Sequence, residues 1–282
     1  MPLTFVKRTP FTYPAGAQNL HANFHADETG FYVANAGAIT AYNPDGTRNT
    51  GGDLTLHNHP TADTIWGFTK TTDGLWATLT RDSGVGIIGT LRTYSPTGTQ
   101  MRVANVPDVV TGINTVSDAW RAPKALVEVG GFFFVRVVRA VSGNMRWVKF
   151  DGNLQVLDDD LVIDSPNPSA LSDAASNGIG YILIIQHQED RVYGINAANA
   201  TIVSNLQTDL EATNTDPFGA SAFGNTLFIA DRNDHVYEYS GVPTELPTTG
   251  GGGGGIFAII SLLQFNGLLA RDFNQPRRRR TP

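Results

Sequence analysis

The chain contains no cysteine. Disulfides, thiolate nucleophiles and cysteine-ligated zinc are therefore excluded. The compartment stays open, because a chain without thiols suits oxidising and reducing surroundings alike. Charge is scarce too: Asp, Glu, Lys and Arg make up 16% of the 282 residues, against about a quarter in ordinary globular chains. Helical periodicity is nearly missing, since residues 1–245 hold no long stretch with an apolar stripe at i, i+3, i+4 and i+7. There is no G-x-S-x-G nucleophile elbow, and the glycines at 250–255 are not followed by the Lys-Ser/Thr of a phosphate loop. The opening segment follows Lys7 and Arg8 with Pro, Thr and aromatic residues rather than an apolar run. No secretory signal peptide is expected there. Nothing before residue 255 reads as a membrane-spanning run.

What charge there is falls unevenly. Five Arg and one Asp lie in 246–282, which leaves 15 basic and 25 acidic residues in 1–245. The body carries −10 and the tail +4. An acidic body repels phosphate, so nucleic acid is not an expected partner of the body.

Short apolar runs recur behind a glycine: GFYVA at Gly30, GLWAT at Gly74, GFFFV at Gly131, GYILI at Gly180, and TLFIA shortly after Gly224. The spacings are 44, 57, 49 and 44 residues. These runs are β-branched or aromatic, short, and bounded by Gly, which reads as strands buried on both faces. Each is followed by a second strand-like segment. Two of those end in Asn43-Pro44-Asp45-Gly46 and Ser95-Pro96-Thr97-Gly98, with Pro at a turn corner and Gly where φ turns positive. A third strand can follow. A period of roughly 40–50 residues with several strands per unit is the signature of a β-propeller. The expectation is an all-β chain folded as a single five-bladed propeller, with six blades as the alternative. The fifth repeat stops one strand short at Ser240, while Leu3–Tyr13 is an orphan strand ahead of the first repeat. Joining the two completes the last blade and removes an unpaired edge. The predicted division is a propeller over 1–242, a Pro/Gly-rich linker over 243–255, and a tail over 256–282.

Residues 219–239, GASAFGNTLFIADRNDHVYEY, and 22–47, ANFHADETGFYVANAGAITAYNPDGT, run in the same order: small residues, a turn, an aromatic-bearing strand, then the next strand. This order resembles NHL-type propeller blades and, more loosely, the gluconolactonase and senescence-marker propellers, over about 20–236. The resemblance implies a fold, because such blades serve enzymes, adhesins and scaffolds alike. The gluconolactonase-like enzymes hold a divalent cation in the channel with Glu, Asn and Asp from separate blades. Here Glu28, Asn114, Asn177 and Asp231 are residues of those types, but none stands in register with that family's motif.

Other chemistry is sparse. His21 and His25 are four apart, and His57 and His59 are two apart. On a strand the latter pair shares a face, as a metal site needs, but no third spaced ligand accompanies it. No metal and no cofactor is expected, with His57 and His59 the residues to watch. Ser176 and Ser221 lack the order of a catalytic triad. Of the four Trp residues, Trp76 and Trp147 sit inside strand runs and read as core. Trp66 and Trp120 lie nearer loops and are the candidate binding contacts for a glycan or receptor.

The tail carries the most specific pattern. Leu246-Pro247-Thr248-Thr249-Gly250 opens it, and the glycine run is a flexible tether. An apolar stretch follows with Ile256, Phe257, Ile259, Ile260, Leu262, Leu263 and Phe265, and then Arg277, Arg278, Arg279 and Arg280. This resembles an LPxTG sortase signal or a GlyGly-type C-terminal sorting signal. As a helix the apolar stretch is too short to span a bilayer. Its alternative use is docking into a groove of another structural protein, with the arginines on an acidic rim. The expected function is non-enzymatic: a binding or display head attached through its tail to a larger assembly, on a virion surface or, alternatively, a bacterial cell surface. The rival is a cation-dependent, lactonase-like hydrolase. Such an enzyme needs carboxylates, His or Asn converging at one mouth of the channel, and a display head does not.

Overall fold

The computed structural model describes residues 3–13, 23–60, 65–81, 87–107, 125–139, 145–163, 171–186, 189–232 and 235–245. They form five four-stranded antiparallel sheets. Blade 1 runs β2 (Phe24–Asp27), β3 (Gly30–Asn35), β4 (Ala38–Tyr42) and β5 (Leu54–Thr55). Blade 2 runs β6 (Ile65–Lys70), β7 (Trp76–Arg81), β8 (Ile87–Tyr94) and β9 (Gln100–Pro107). Blade 3 runs β10 (Ala125–Val129), β11 (Phe132–Arg139), β12 (Met145–Phe150) and β13 (Val156–Ile163). Blade 4 runs β14 (Leu171–Ala175), β15 (Tyr181–Gln186), β16 (Arg191–Asn196) and β17 (Thr201–Asp209). Blade 5 has β18 (Pro217–Phe223), β19 (Thr226–Asp231), β20 (His235–Ser240) and, as its outer strand, β1 (Thr4–Pro10).

The blade count is five, and the N-terminal strand closes the ring. Strand β1 pairs antiparallel with β20, from Thr4 opposite Ser240 to Pro10 opposite His235. Beyond β1 the chain inserts Phe11 and Tyr13, 2% and 4% exposed, among Phe24, Phe31, Tyr42 and Val236. That junction is rich in aromatic rings, with those of Phe11 and Tyr13 edge-on at 4.9 Å. Phe5, on β1 itself, is 38% exposed and leans on Tyr239. It sits on an outer strand, whose far side faces water.

Each junction between blades has its own apolar core. The cluster of Ala77, Leu79, Leu91, Leu126 and Val135 joins blades 2 and 3. Trp147, Ile163, Ile182 and Ile195 join blades 3 and 4. Leu183, Ile185, Leu227 and Ile229 join blades 4 and 5. Ile39, Ile65, Phe68, Trp76 and Tyr94 join blades 1 and 2. Second strands therefore pack on both faces, which is why YILIIQ is buried at every position.

The first strands β2, β6, β10, β14 and β18 touch one another in circular order around the axis. Two glycines let them come close. A Cβ on Gly67 would stand 2.7 Å from the Leu126 Cβ, and one on Gly219 would stand 2.6 Å from the Phe24 Cβ. The turns follow the sequence signals, since Gly46 and Gly98 each return an N–H to the carbonyl three residues back, at 2.9 Å. No helix among the described residues is long and apolar enough to cross a membrane.

Candidate functional site

Because every blade begins at the axis and its first strand runs the same way, the turns from first to second strand gather at one end of the ring. They enclose a cavity of about 380 Å³ at the mouth of the channel. All five blades line it. Blade 1 supplies His25, Asp27 and Glu28; blade 2 supplies Lys70, Thr71, Thr72 and Gly74; blade 3 supplies Glu128. Blade 4 adds Ser176, Asn177, Gly178 and Ile179, and blade 5 adds Ala222, Phe223 and Gly224.

Polar links cross every junction near this wall. The Asp27 carboxylate takes the Lys70 ammonium at 2.8 Å. Thr29 donates to the same carboxylate through its backbone N–H and its hydroxyl. Burial pushes the Asp27 carboxyl up, but the hydrogen bonds from Lys70 and Thr29 outweigh it and hold it below its usual value. The Lys70 ammonium also lies 5.1 Å from the centre of the Trp76 ring. Glu128 accepts the Thr72 N–H at 3.1 Å from the neighbouring blade and the Gly131 N–H of its own turn. Burial raises its pKa and those amides pull it back. Gly130 donates to the Gly178 carbonyl between blades 3 and 4. The Asn177 amide donates to the carbonyls of Gly224 and Pro243, both at 2.8 Å. Deeper in, Asp173 accepts the N–H of Ala220 in blade 5 at 2.7 Å, and burial raises its pKa well above the usual carboxylate value.

His25 closes the circle between blades 5, 1 and 2. It is 6% exposed. Its Nδ1 faces the Ser221 hydroxyl at 3.2 Å and accepts the Lys70 backbone N–H at 3.4 Å. An atom that accepts from an amide carries no proton, so the network assigns the neutral ring's proton to Nε2. Burial lowers the pKa to about 4; the Asp27 charge opposes this and the Lys70 charge adds to it. The ring packs among Tyr32, Phe68 and Trp76, edge-on to the last at 5.8 Å. At neutral pH His25 is an uncharged hydrogen-bond donor.

The fold is shared with known propellers. Among solved structures, Myxococcus xanthus glutaminyl cyclase superposes with a TM-score of 0.55 at 12% identity, covering 86% of this chain and 98% of that one. A luciferin-regenerating enzyme gives 0.49 at 12%, covering 86% and 100%. The calcium-binding regucalcin of Agrobacterium tumefaciens gives 0.47 at 10%, covering 79% and 77%. No protein-family model and no curated protein matches the sequence. At such identities the likeness is one of fold, and it is a fold that enzymes use.

The cavity brings together Glu28 and Asn177, two of the residues set beside the gluconolactonase pattern. Asp231 is elsewhere, fully buried and accepting the His235 N–H at 3.0 Å. Asn114, His21 and Trp120 lie outside the described residues, as do the tail residues 256–280. His57 and His59 fall in a turn rather than on a strand, with Asn58 between them at φ 62°. His57 is exposed, whereas His59 is buried beside Tyr94 and hydrogen-bonds the Pro60 carbonyl. Among the described residues no group of three or more His, Asp or Glu is placed to hold a metal ion. Trp66 lies half-buried on β6 and does not line the cavity. Sequence reasoning missed Lys70, Glu128 and Phe223. They lie one to four residues ahead of the repeat glycines Gly74, Gly131 and Gly224, as Asp27, Glu28 and Asn177 do ahead of Gly30 and Gly180.

Proposed function

We propose that the propeller is a ligand-binding head whose site is the channel mouth. One observation carries this reading: all five blades line a single cavity there, and its wall presents an imidazole, an ammonium, carboxylates and the 42% exposed ring of Phe223. Concave sites with a few convergent polar groups among apolar ones are where small molecules bind. The convergence of His25, Asp27, Glu128 and Asn177 on one mouth is what an enzyme requires, so it favours a small-molecule site over a head that only displays its surface. It does not extend to a triad, since the Ser221 hydroxyl beside His25 is buried and outside the cavity lining. Binding is read with Phe223→Trp as a fluorescent reporter at the rim, titrated with a panel of small neutral polar compounds. Saturable quenching that Glu28→Lys or Ile179→Arg abolishes is expected. A reporter that no compound moves would refute the site.

We further propose that residues 256–280 attach this head to another structural protein, on a virion or a bacterial cell surface. Every blade reaches four strands by Ser240, so the five blades are complete within the described residues. Apolar side chains behind a glycine tether supply affinity, and arginines supply orientation. Ile260→Asp with Leu263→Asp is expected to block incorporation while the propeller melts as before. Normal incorporation would refute docking, and a mature chain ending at Thr249 by mass spectrometry would establish sortase cleavage instead.

A further inference from the structure

His25 is more than nine-tenths buried, and one of its nitrogens is left over. Nδ1 is occupied by the Lys70 amide and the Ser221 hydroxyl. Nε2 has no hydrogen-bond partner among the described residues, yet it is not sealed inside the protein. His25 lines the cavity at the channel mouth, and Nε2 is assigned to that opening. A donor held this way lacks an acceptor, and it costs stability unless water or a ligand supplies one.

The rest of the wall narrows what that acceptor is. Asp27, Glu28 and Glu128 place three carboxylates around the cavity against the single ammonium of Lys70, which Asp27 already holds. An anionic acceptor is repelled by this wall. A cation suits the carboxylates but offers Nε2–H nothing to bind. A neutral acceptor remains, and a carbonyl oxygen, with two lone pairs and no proton of its own, is a strong and common one. Ile179 on blade 4 and Ala222 and Phe223 on blade 5 give apolar lining for the ligand's body.

We propose that the ligand of the channel mouth is an uncharged carbonyl compound whose oxygen accepts the Nε2–H of His25, with its apolar part against Phe223 and Ile179. This rests on the channel mouth being the binding site. His25 thus acts as a fixed, neutral donor. The Lys70 amide and Ser221 hold its tautomer, and the Tyr32, Phe68 and Trp76 rings hold its plane.

The test uses the full chain with 15N-labelled histidine, observing the imidazole nitrogens by NMR near neutral pH. His25→Gln removes one set of signals and so assigns them. Three probes of similar size are titrated: 2-piperidone as a neutral carbonyl, piperidine as a cation, and cyclopentanecarboxylate as an anion. The free protein should show Nε2 protonated and Nδ1 bare. 2-Piperidone should shift Nε2 saturably, the other two should not, and Phe223→Ala should weaken 2-piperidone about tenfold. A shift with piperidine or the carboxylate and none with 2-piperidone would overturn the carbonyl assignment and leave the site standing. No shift with any probe, even at about 100 mM, would overturn both. A proton found on Nδ1 would overturn the donor role outright.

Discussion

Acidification is expected to weaken this propeller through His25 by an amount that the structure sets. In the unfolded chain the residue titrates near 6.5, and in the fold burial lowers it to about 4. Asp27 pulls that value up and Lys70 pushes it down, and the balance leaves the ring neutral. Between about 4 and 6.5 the unfolded chain therefore binds more protons than the folded one. Stability rises with pH across that window, is complete above about 6.5, and is lost as pH falls toward 4. Two pKa units at about 1.4 kcal/mol each make the loss about 2–3 kcal/mol between pH ~8 and pH ~4.5. His25→Gln has nothing to protonate there, and its carboxamide can still accept the Lys70 N–H. The assay is urea unfolding of both proteins across this range, followed by Trp fluorescence, since Trp76 and Trp147 are buried. Titrating groups distant from His25 contribute equally in both and cancel in the difference. The gap between the two should shift by about 2–3 kcal/mol in favour of the variant as pH falls. Parallel curves would refute a neutral buried imidazole.

Deleting residues 1–13 should unfold the propeller or lower its melting temperature sharply. It strips the edge of β20 and removes Phe11 and Tyr13 from the closing cluster, and losing each large aromatic core side chain costs about 3–5 kcal/mol. An unchanged melt would dismiss the closure. Gly219→Ala should cost about 1–3 kcal/mol by overpacking against Phe24, measured by chemical denaturation; a neutral result would show that β18 and β2 can separate. Glu128→Ala should cost about 1–3 kcal/mol, because the Thr72 N–H loses its acceptor. Faster hydrogen exchange at Thr72 is its signature, and unaltered exchange would count against the link between blades 2 and 3.

Most of the architecture was legible from residue order. Runs such as GFFFV and GYILI are too apolar for a half-exposed strand and too short and β-rich for a helix, so they became the second strands that pack between two blades. The Pro-Asp-Gly and Pro-Thr-Gly turns are local, decided by φ preferences within four residues, and they form where the sequence places them. Closure was legible by counting, because a repeat one strand short and an orphan strand at the other end have one economical solution. The HxH pair lies off any strand for a local reason as well: Asn58 enters the left-handed region and turns the chain, which separates an exposed His57 from a buried His59. The site was a different matter. His25, Lys70, Glu128, Asn177 and Phe223 each lie a few residues ahead of a repeat glycine, but their types follow no rule that repeats from blade to blade. They meet because five first strands run the same way around one axis and end at one mouth. That convergence is set by ring closure, a contact between residues more than two hundred positions apart. The lowered pKa of His25 likewise comes from burial, aided by the Lys70 charge of the next blade against the pull of Asp27, surroundings that only the packed ring supplies.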